Sequence, residues 1–65
     1  MNQYKVTIKA ARINANMLQA TVAKELKISQ KTLTNWENGK THPTASALLK
    51  MCELYKVPLD LIILP

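Results

Sequence analysis

The 65-residue sequence contains no phenylalanine and only one glycine, and its aromatic residues are two tyrosines and one tryptophan. This scarcity of turn glycines and of aromatic side chains disfavours an all-β fold. The one cysteine, Cys52, cannot form an internal disulfide, and together with the one histidine, His42, it gives too few ligands for the usual zinc site. The sequence also lacks a phosphate-binding loop and a nucleophile–base pair, so we expect no catalysis, no metal and no other cofactor.

Aliphatic residues supply most of the hydrophobic content, which is 48% of the sequence. They suit closely packed helices, and the chain length suits one small domain, taken here as residues 1–65. The longest apolar stretch, residues 57–65, contains Asp60 and is far shorter than the ~20 residues that cross a membrane. The first residues lack the apolar core of a signal peptide, so the sequence predicts a cytoplasmic protein.

Basic residues outnumber acidic residues by nine to four, which gives a net charge of +5 and an isoelectric point near 9.7. This balance favours a polyanionic partner, with nucleic acid ahead of a membrane surface. The net charge alone does not identify the partner, because the basic residues are spread along the whole chain. A small basic protein can also simply be soluble. An amphipathic membrane-surface peptide is disfavoured, because the basic residues do not line one long helix.

The spacing of the apolar residues predicts five short helices. Residues suited to N-capping, namely Thr7, Ser29 and Thr44, precede the first, third and fourth of these helices. Gly39 stands where a left-handed residue would end the third helix. The predicted helices cover about residues 8–15, 18–27, 30–38, 45–55 and 58–64.

The second and third predicted helices, separated by a short break that contains the apolar Ile28, describe a helix-turn-helix over about residues 18–38. In such a unit the first helix braces the second, whose outer face enters the major groove of DNA. The outer face of the third helix has several hydrogen-bonding side chains and no acidic residue. These side chains are Gln30, Lys31, Thr34 and Asn35. The same residues would also suit the polar face of any surface helix.

Three segments carry a family resemblance: QATVAKEL at residues 19–26, then Ile28-Ser29, then LTNWENGKT at residues 33–41. Together they resemble the Cro/CI-type helix-turn-helix family, also called XRE-like, over about residues 8–63. The most specific part is Ser29 followed by WENGKT and Pro43. The resemblance implies an all-α, compact five-helix, lambda-repressor-like DNA-binding domain. It also implies a sequence-specific transcriptional regulator, in particular a repressor, that binds double-stranded DNA with its third helix in the major groove.

The resemblance also implies roles for individual side chains. The residues that would contact DNA bases are Gln30, Lys31 and Asn35, with Thr34 nearby. The residues that would contact the DNA backbone are Gln19, Asn38, Lys40 and Thr41. Arg12 in the first helix and Glu37 in the third would form a structural salt bridge between the two helices.

Three positions depart from the family pattern. Leu18 stands where the family often has a serine or threonine, so the second helix would lack a side-chain N-cap, at a cost of ~1 kcal/mol. Lys27 and Lys56 stand where a glycine is common, and a lysine in the left-handed conformation is strained. None of these departures removes an expected DNA contact.

The apolar residues of the last predicted helix exceed what one side of a short helix can bury. They either seal the small core or form part of a homodimer contact, and we favour the homodimer. A dimer would bind a two-fold-symmetric operator with half-sites ~34 Å apart. A different function stays open: the same fold would also suit a protein-interaction module, such as an antitoxin or adaptor, whose basic helix meets an acidic protein.

Overall fold

Residues 4–64, the part of the chain that this computed structural model describes, form four short α-helices, one 3-10 turn and a two-stranded parallel sheet. The ends of the predicted domain, residues 1–3 and 65, lie outside the described residues. The helices are α1 (Ile8–Asn14), α2 (Gln19–Leu26), α3 (Gln30–Glu37) and α4 (Ala45–Tyr55). The other elements are the 3-10 turn Leu59–Leu61 and the strands β1 (Val6–Thr7) and β2 (Ile62–Ile63).

Capping side chains fix where three of the helices begin. The side-chain oxygens of Thr7, Ser29 and Thr44 each accept a hydrogen bond from the backbone N–H three residues further on, at 3.0 or 3.1 Å. Each bond satisfies a backbone donor that has no partner within its helix. The three predicted N-caps are therefore confirmed, and α2 begins after Leu18 without a side-chain cap, as expected.

The prediction of a fifth helix over residues 58–64 is wrong. The chain forms only the 3-10 turn Leu59–Leu61 there and then runs extended as β2, parallel to β1, with Val6 paired to Ile62. Both strands consist of β-branched residues, which favour extended backbone, and so short a helix gains little stability by itself. The all-α prediction is corrected accordingly: the described chain is mostly helical, with four helices and a small sheet that joins its two ends.

The core lies where the four helices meet, and each helix contributes to it. Its fully buried side chains are Ile8 and Ala11 of α1, Val22 of α2, Leu33 of α3 and Met51 of α4. Trp36 and Tyr55 complete the cluster, and the predicted inward positions of Leu33 and Trp36 are confirmed. Because one side of α3 is anchored in this core, its other side faces outward.

Two lysines adopt the left-handed backbone conformation at helix ends. Lys27 follows α2 with a φ of 58°, and Lys56 follows α4 with a φ of 57°. This conformation brings Cβ too close to the following carbonyl oxygen and costs most residues roughly 1–2 kcal/mol. Gly39, at a φ of 78°, adopts positive φ without this cost, as its predicted position after α3 requires.

Replacing Lys27 or Lys56 by glycine should therefore stabilise the fold by about 0.5–1 kcal/mol each. The gain is smaller than the full strain, because glycine adds entropy to the unfolded chain. Urea unfolding of the single variants measures it as a rise in the transition midpoint. Asn16→Gly is the matched control: Asn16 has a φ of 58°, but asparagine tolerates this region, so its gain should be smaller. Equal gains at all three positions would contradict strain specific to the lysines.

Candidate nucleic-acid interface

Helices α2 and α3 and the turn between them, residues 27–29, form a helix-turn-helix. The backbone N–H of Ile28 donates to the carbonyl of Ala23 at 3.0 Å and closes the end of α2. The side chain of Ile28 is half-buried against the core, and Ser29 caps α3 directly afterwards. Val22 and Leu33, both fully buried, anchor the two helices in the same core. As a result, α2 supports α3 and leaves the outer face of α3 exposed.

The outer face of α3 is polar and carries no exposed carboxylate. Gln30 and Lys31 are exposed, whereas Thr34 and Asn35 are half-buried. Lys31 and Asn35 lie four residues apart and therefore share one side of the helix. Within residues 4–64 neither of their side chains forms a hydrogen bond, so both keep their bonding capacity for a ligand. The one acidic residue of α3, Glu37, is buried.

Thr34 uses its hydroxyl proton within the protein. Its Oγ1 donates to the backbone carbonyl of Gln30, one turn earlier in α3, at 3.0 Å. The same hydroxyl also lies 3.4 Å from Oε1 of Gln19. A hydroxyl has a single proton, so Thr34 can offer a further partner only its oxygen lone pairs and its methyl group.

Asn38, Lys40 and Thr41, which the family resemblance implies as contacts to the DNA backbone, lie together in the loop after α3. The backbone N–H groups of Lys40 and Thr41 donate to the carbonyl of Asn35 at 2.9 and 3.5 Å, with Gly39 left-handed before them. These bonds fold the loop back onto the C-terminal end of α3. The side chains of Asn38, Lys40 and Thr41 are all exposed. The loop and the outer face of α3 therefore offer neighbouring polar groups to one ligand.

A buried ion pair joins α1 to α3. Nε of Arg12 lies 2.8 Å from Oε2 of Glu37, and the two side chains are only 11% and 1% exposed. Nη2 of Arg12 donates a longer bond to Oε1 of Glu37, at 3.4 Å, and Nη1 donates to the carbonyl of Met17 at 2.9 Å. The guanidinium thus binds the carboxylate through two nitrogens and also holds the turn between α1 and α2.

Gln19 links this ion pair to the outer face of α3, a role that sequence reasoning missed. Its Nε2 donates to Oε1 of Glu37 at 2.9 Å, while its Oε1 accepts from Nε2 of Gln30 at 3.3 Å and lies 3.4 Å from Oγ1 of Thr34. A carboxylate only accepts hydrogen bonds, so Glu37 takes the NH2 end of the Gln19 amide and leaves its oxygen toward Gln30 and Thr34. No local pattern could reveal this link, because it depends on how α2 crosses α3.

Tyr55 of α4 has a second feature that the sequence did not reveal. Its side chain is 5% exposed, yet its hydroxyl has no hydrogen-bond partner among the described residues. Burial, followed by the negative charge of Glu37, raises the pKa of this hydroxyl to about 12, and the positive charge of Arg12 opposes the rise. The phenol therefore stays protonated at neutral pH and remains a hydrogen-bond donor.

Features of other kinds of site are scarce in the described part of the chain. No three His, Cys, Asp or Glu side chains there are grouped as a metal site requires. Burial raises the pKa of the half-buried Cys52 thiol, which lowers its thiolate fraction and its reactivity at neutral pH. None of the helices in residues 4–64 has the length and apolar character needed to cross a membrane.

The sequence matches a known protein family over most of its length. The model of a family described as helix-turn-helix matches residues 8–62, from the first residue of α1 to the first residue of β2. The match thus includes the outer face of α3, the loop after it and the buried ion pair. Neither a curated protein nor a solved structure matches the chain.

Proposed function

Since the chain belongs to the Cro/CI-type helix-turn-helix family, whose members bind DNA and are typically not enzymes, we propose that it is a sequence-specific regulator of transcription. It binds double-stranded DNA through α3. The observation that carries this proposal is the outer face of α3, which has free hydrogen-bonding side chains and no exposed carboxylate. The net charge of +5 favours approach to a polyanion. We further propose that the protein is a repressor, because occupying an operator is enough to block transcription.

Side chains of α3 are proposed to read base edges in the major groove. Lys31 suits the guanine acceptors O6 and N7, whereas the amide of Asn35 can bond adenine twice. Gln30 can also bond adenine, since only one of its Nε2 protons is donated to Gln19. Thr34, whose proton is donated within the protein, is proposed to contact the methyl group of a thymine.

Four side chains are proposed to position the protein on the DNA backbone: Gln19, Asn38, Lys40 and Thr41. Gln19 retains one Nε2 proton for a phosphate, because the other is donated to Glu37. It is also the first residue of α2, where backbone N–H groups without helical partners attract anions. Lys40 carries the one formal positive charge among these four side chains.

Lys40→Ala should reduce the salt dependence of DNA binding by about one unit in the slope of log K against log salt concentration. The variant no longer displaces a counterion from one phosphate, so its affinity should fall for all duplex sequences alike. Fluorescence anisotropy titrations between about 50 and 200 mM salt measure the slope. Lys50→Ala, which removes an exposed lysine of α4, is the matched control. An unchanged slope in Lys40→Ala, or an equal fall in both variants, would remove Lys40 from the proposed interface.

We propose that two copies associate as a homodimer through the C-terminal part of the described chain. Four large apolar side chains there remain 43–53% exposed: Leu49, Leu59, Ile63 and Leu64. Two of them line a groove of about 590 Å³ between α4 and the 3-10 turn, together with Glu53 and Lys56. Opposite charges within one patch suit a two-fold contact, because Glu53 of each copy can then face Lys56 of the other.

Selection of bound duplexes from a random pool tests the proposed function. We expect the enriched duplexes to share a two-fold-symmetric sequence with half-sites one helical turn, about 34 Å, apart. Enrichment of a single half-site would contradict the dimer and retain the DNA-binding function. Equal binding of all sequences, or binding of none, would instead favour a protein-interaction module such as an antitoxin or adaptor.

A further inference from the structure

Tyr55 belongs to the buried core, beside which the nearly buried ion pair between Arg12 and Glu37 lies. Tyr55 packs in one core cluster with Ala11 and Trp36, which directly precede Arg12 and Glu37 in the chain. The charges of Arg12 and Glu37 are also the two that act on the pKa of the Tyr55 hydroxyl. Burying a hydroxyl without a partner is costly, and most buried polar groups in proteins are hydrogen-bonded. We therefore expect this hydroxyl to have a hydrogen-bond partner near the ion pair.

The ion pair has spare hydrogen-bonding capacity on both sides. The carboxylate of Glu37 offers about four acceptor sites, and three are filled by Nε and Nη2 of Arg12 and by Nε2 of Gln19. The guanidinium of Arg12 has about five N–H donors, and three of them bond to Glu37 and to the carbonyl of Met17. Acceptor and donor capacity therefore remains in a region that is almost closed to solvent.

We propose that one internal water molecule binds between the Tyr55 hydroxyl and the Arg12–Glu37 ion pair. This water accepts hydrogen bonds from the Tyr55 hydroxyl and from a spare N–H of Arg12, and it donates one to the remaining acceptor site of Glu37. Three partners are the usual number for a buried water, and such waters occupy polar sites of this kind. The water ties α4, which carries Tyr55, to both α1 and α3.

Tyr55 then acts as a positioning residue for the outer face of α3, and this part of the inference rests on the proposed function. Glu37, which holds the water, accepts from Gln19 at 2.9 Å, and Gln19 accepts from Gln30 at 3.3 Å. The chain of bonds therefore runs from α4 through the core to a side chain proposed to read bases. A phenylalanine at position 55 would fill the core equally well, so the hydroxyl alone carries this role.

Tyr55→Phe tests the bound water, and Tyr4→Phe, at a tyrosine that is 75% exposed, is the matched control. Loss of the water-mediated bonds should lower the midpoint of thermal unfolding by about 4–8 °C in Tyr55→Phe and leave the control unchanged. A dry, unpaired hydroxyl would give the opposite result, an unchanged or higher midpoint, because its removal relieves the cost of burial. A high-resolution crystal structure of the parent protein should show the water within about 3.2 Å of the Tyr55 hydroxyl. An empty site there would overturn the proposal.

The positioning role has its own readout, which a loss of stability alone would not change. Well below the unfolding midpoint, Tyr55→Phe should shift the side-chain amide NMR signals of Gln30 and weaken binding to the preferred duplex about fivefold, the equivalent of one hydrogen bond. A lower midpoint with unchanged Gln30 signals and affinity would overturn the positioning role. If the parent protein binds no duplex, the proposed function fails, whereas the unfolding midpoint, the crystal structure and the Gln30 signals still decide the inference about the water.

Discussion

Glu37→Ala should destabilise the protein by about 3–5 kcal/mol, because the variant leaves the charge of Arg12 buried without its partner. The Arg12 side chain is only 11% exposed, so bulk solvent hydrates its charge poorly once the carboxylate is lost. The variant also removes the acceptor that holds the Gln19 amide. A domain of 65 residues has a total stability of roughly 3–10 kcal/mol. We therefore expect Glu37→Ala to lose a large part of the total stability.

Urea unfolding followed by far-ultraviolet circular dichroism measures this loss. Arg12→Met combined with Glu37→Leu should recover much of the stability, because well-packed apolar side chains can replace a buried ion pair. Glu25→Ala, at an exposed glutamate of α2, is the matched control and should change the stability by less than about 0.5 kcal/mol. A loss below about 1 kcal/mol in Glu37→Ala would show that solvent screens the ion pair as it does on a surface.

Alanine at Gln30, Lys31 or Asn35 should weaken binding to the preferred operator by about 1–3 kcal/mol each, which is roughly 5- to 150-fold in affinity. Each variant removes hydrogen bonds to a base edge and leaves that base without its partner. Binding to random duplex should change little in Gln30→Ala and Asn35→Ala, because neither side chain is charged. Lys31→Ala should weaken both kinds of binding, since its charge also attracts phosphates.

The base preference of each variant at every operator position is the measurement that decides whether α3 reads sequence. Each substitution should relax the preference mainly at the base pair that its side chain contacts. Gln30→Ala should also be non-additive with Gln19→Ala, because the two side chains are bonded at 3.3 Å. Lys50→Ala should leave all preferences unchanged. If Gln30→Ala and Asn35→Ala also keep the parent's preferences, the regulator loses its proposed mechanism of recognition.

The helices could be predicted because their limits depend on neighbouring residues. All four begin and end within one residue of their predicted bounds. Ser29 illustrates the reason: a capping side chain, a helical apolar spacing through Leu33 and Trp36 and a glycine at position 39 together define α3. The polar outer face of α3 follows from the same spacing, because the residues that do not face the core must face solvent.

The parts of the fold and of the site that the sequence did not predict depend on contacts between residues that are distant in the chain. Ile62 and Ile63 fit a short helix as well as a strand until β1 is known to lie beside them. The bonds of Gln19 with Glu37 and Gln30 require the crossing of α2 over α3. The buried hydroxyl of Tyr55 is equally hidden, since the periodicity of α4 predicts only that the ring faces the core. The apolar spacing and the capping residues therefore predict the helices. The hydrogen bonds between side chains of different helices can be seen only once the helices are packed together.

The pairing of β1 with β2 has a consequence for biosynthesis. Strand β1 is synthesised before β2, and it has no partner until Ile62 and Ile63 follow. At about 5–20 residues per second, roughly 3–11 s separate the synthesis of the two strands. The helices can begin to form during this interval, so the sheet closes last, and the 3-10 turn reaches its final place only at that step. A dimer that uses this segment would therefore assemble only after the segment has been synthesised and the sheet has closed.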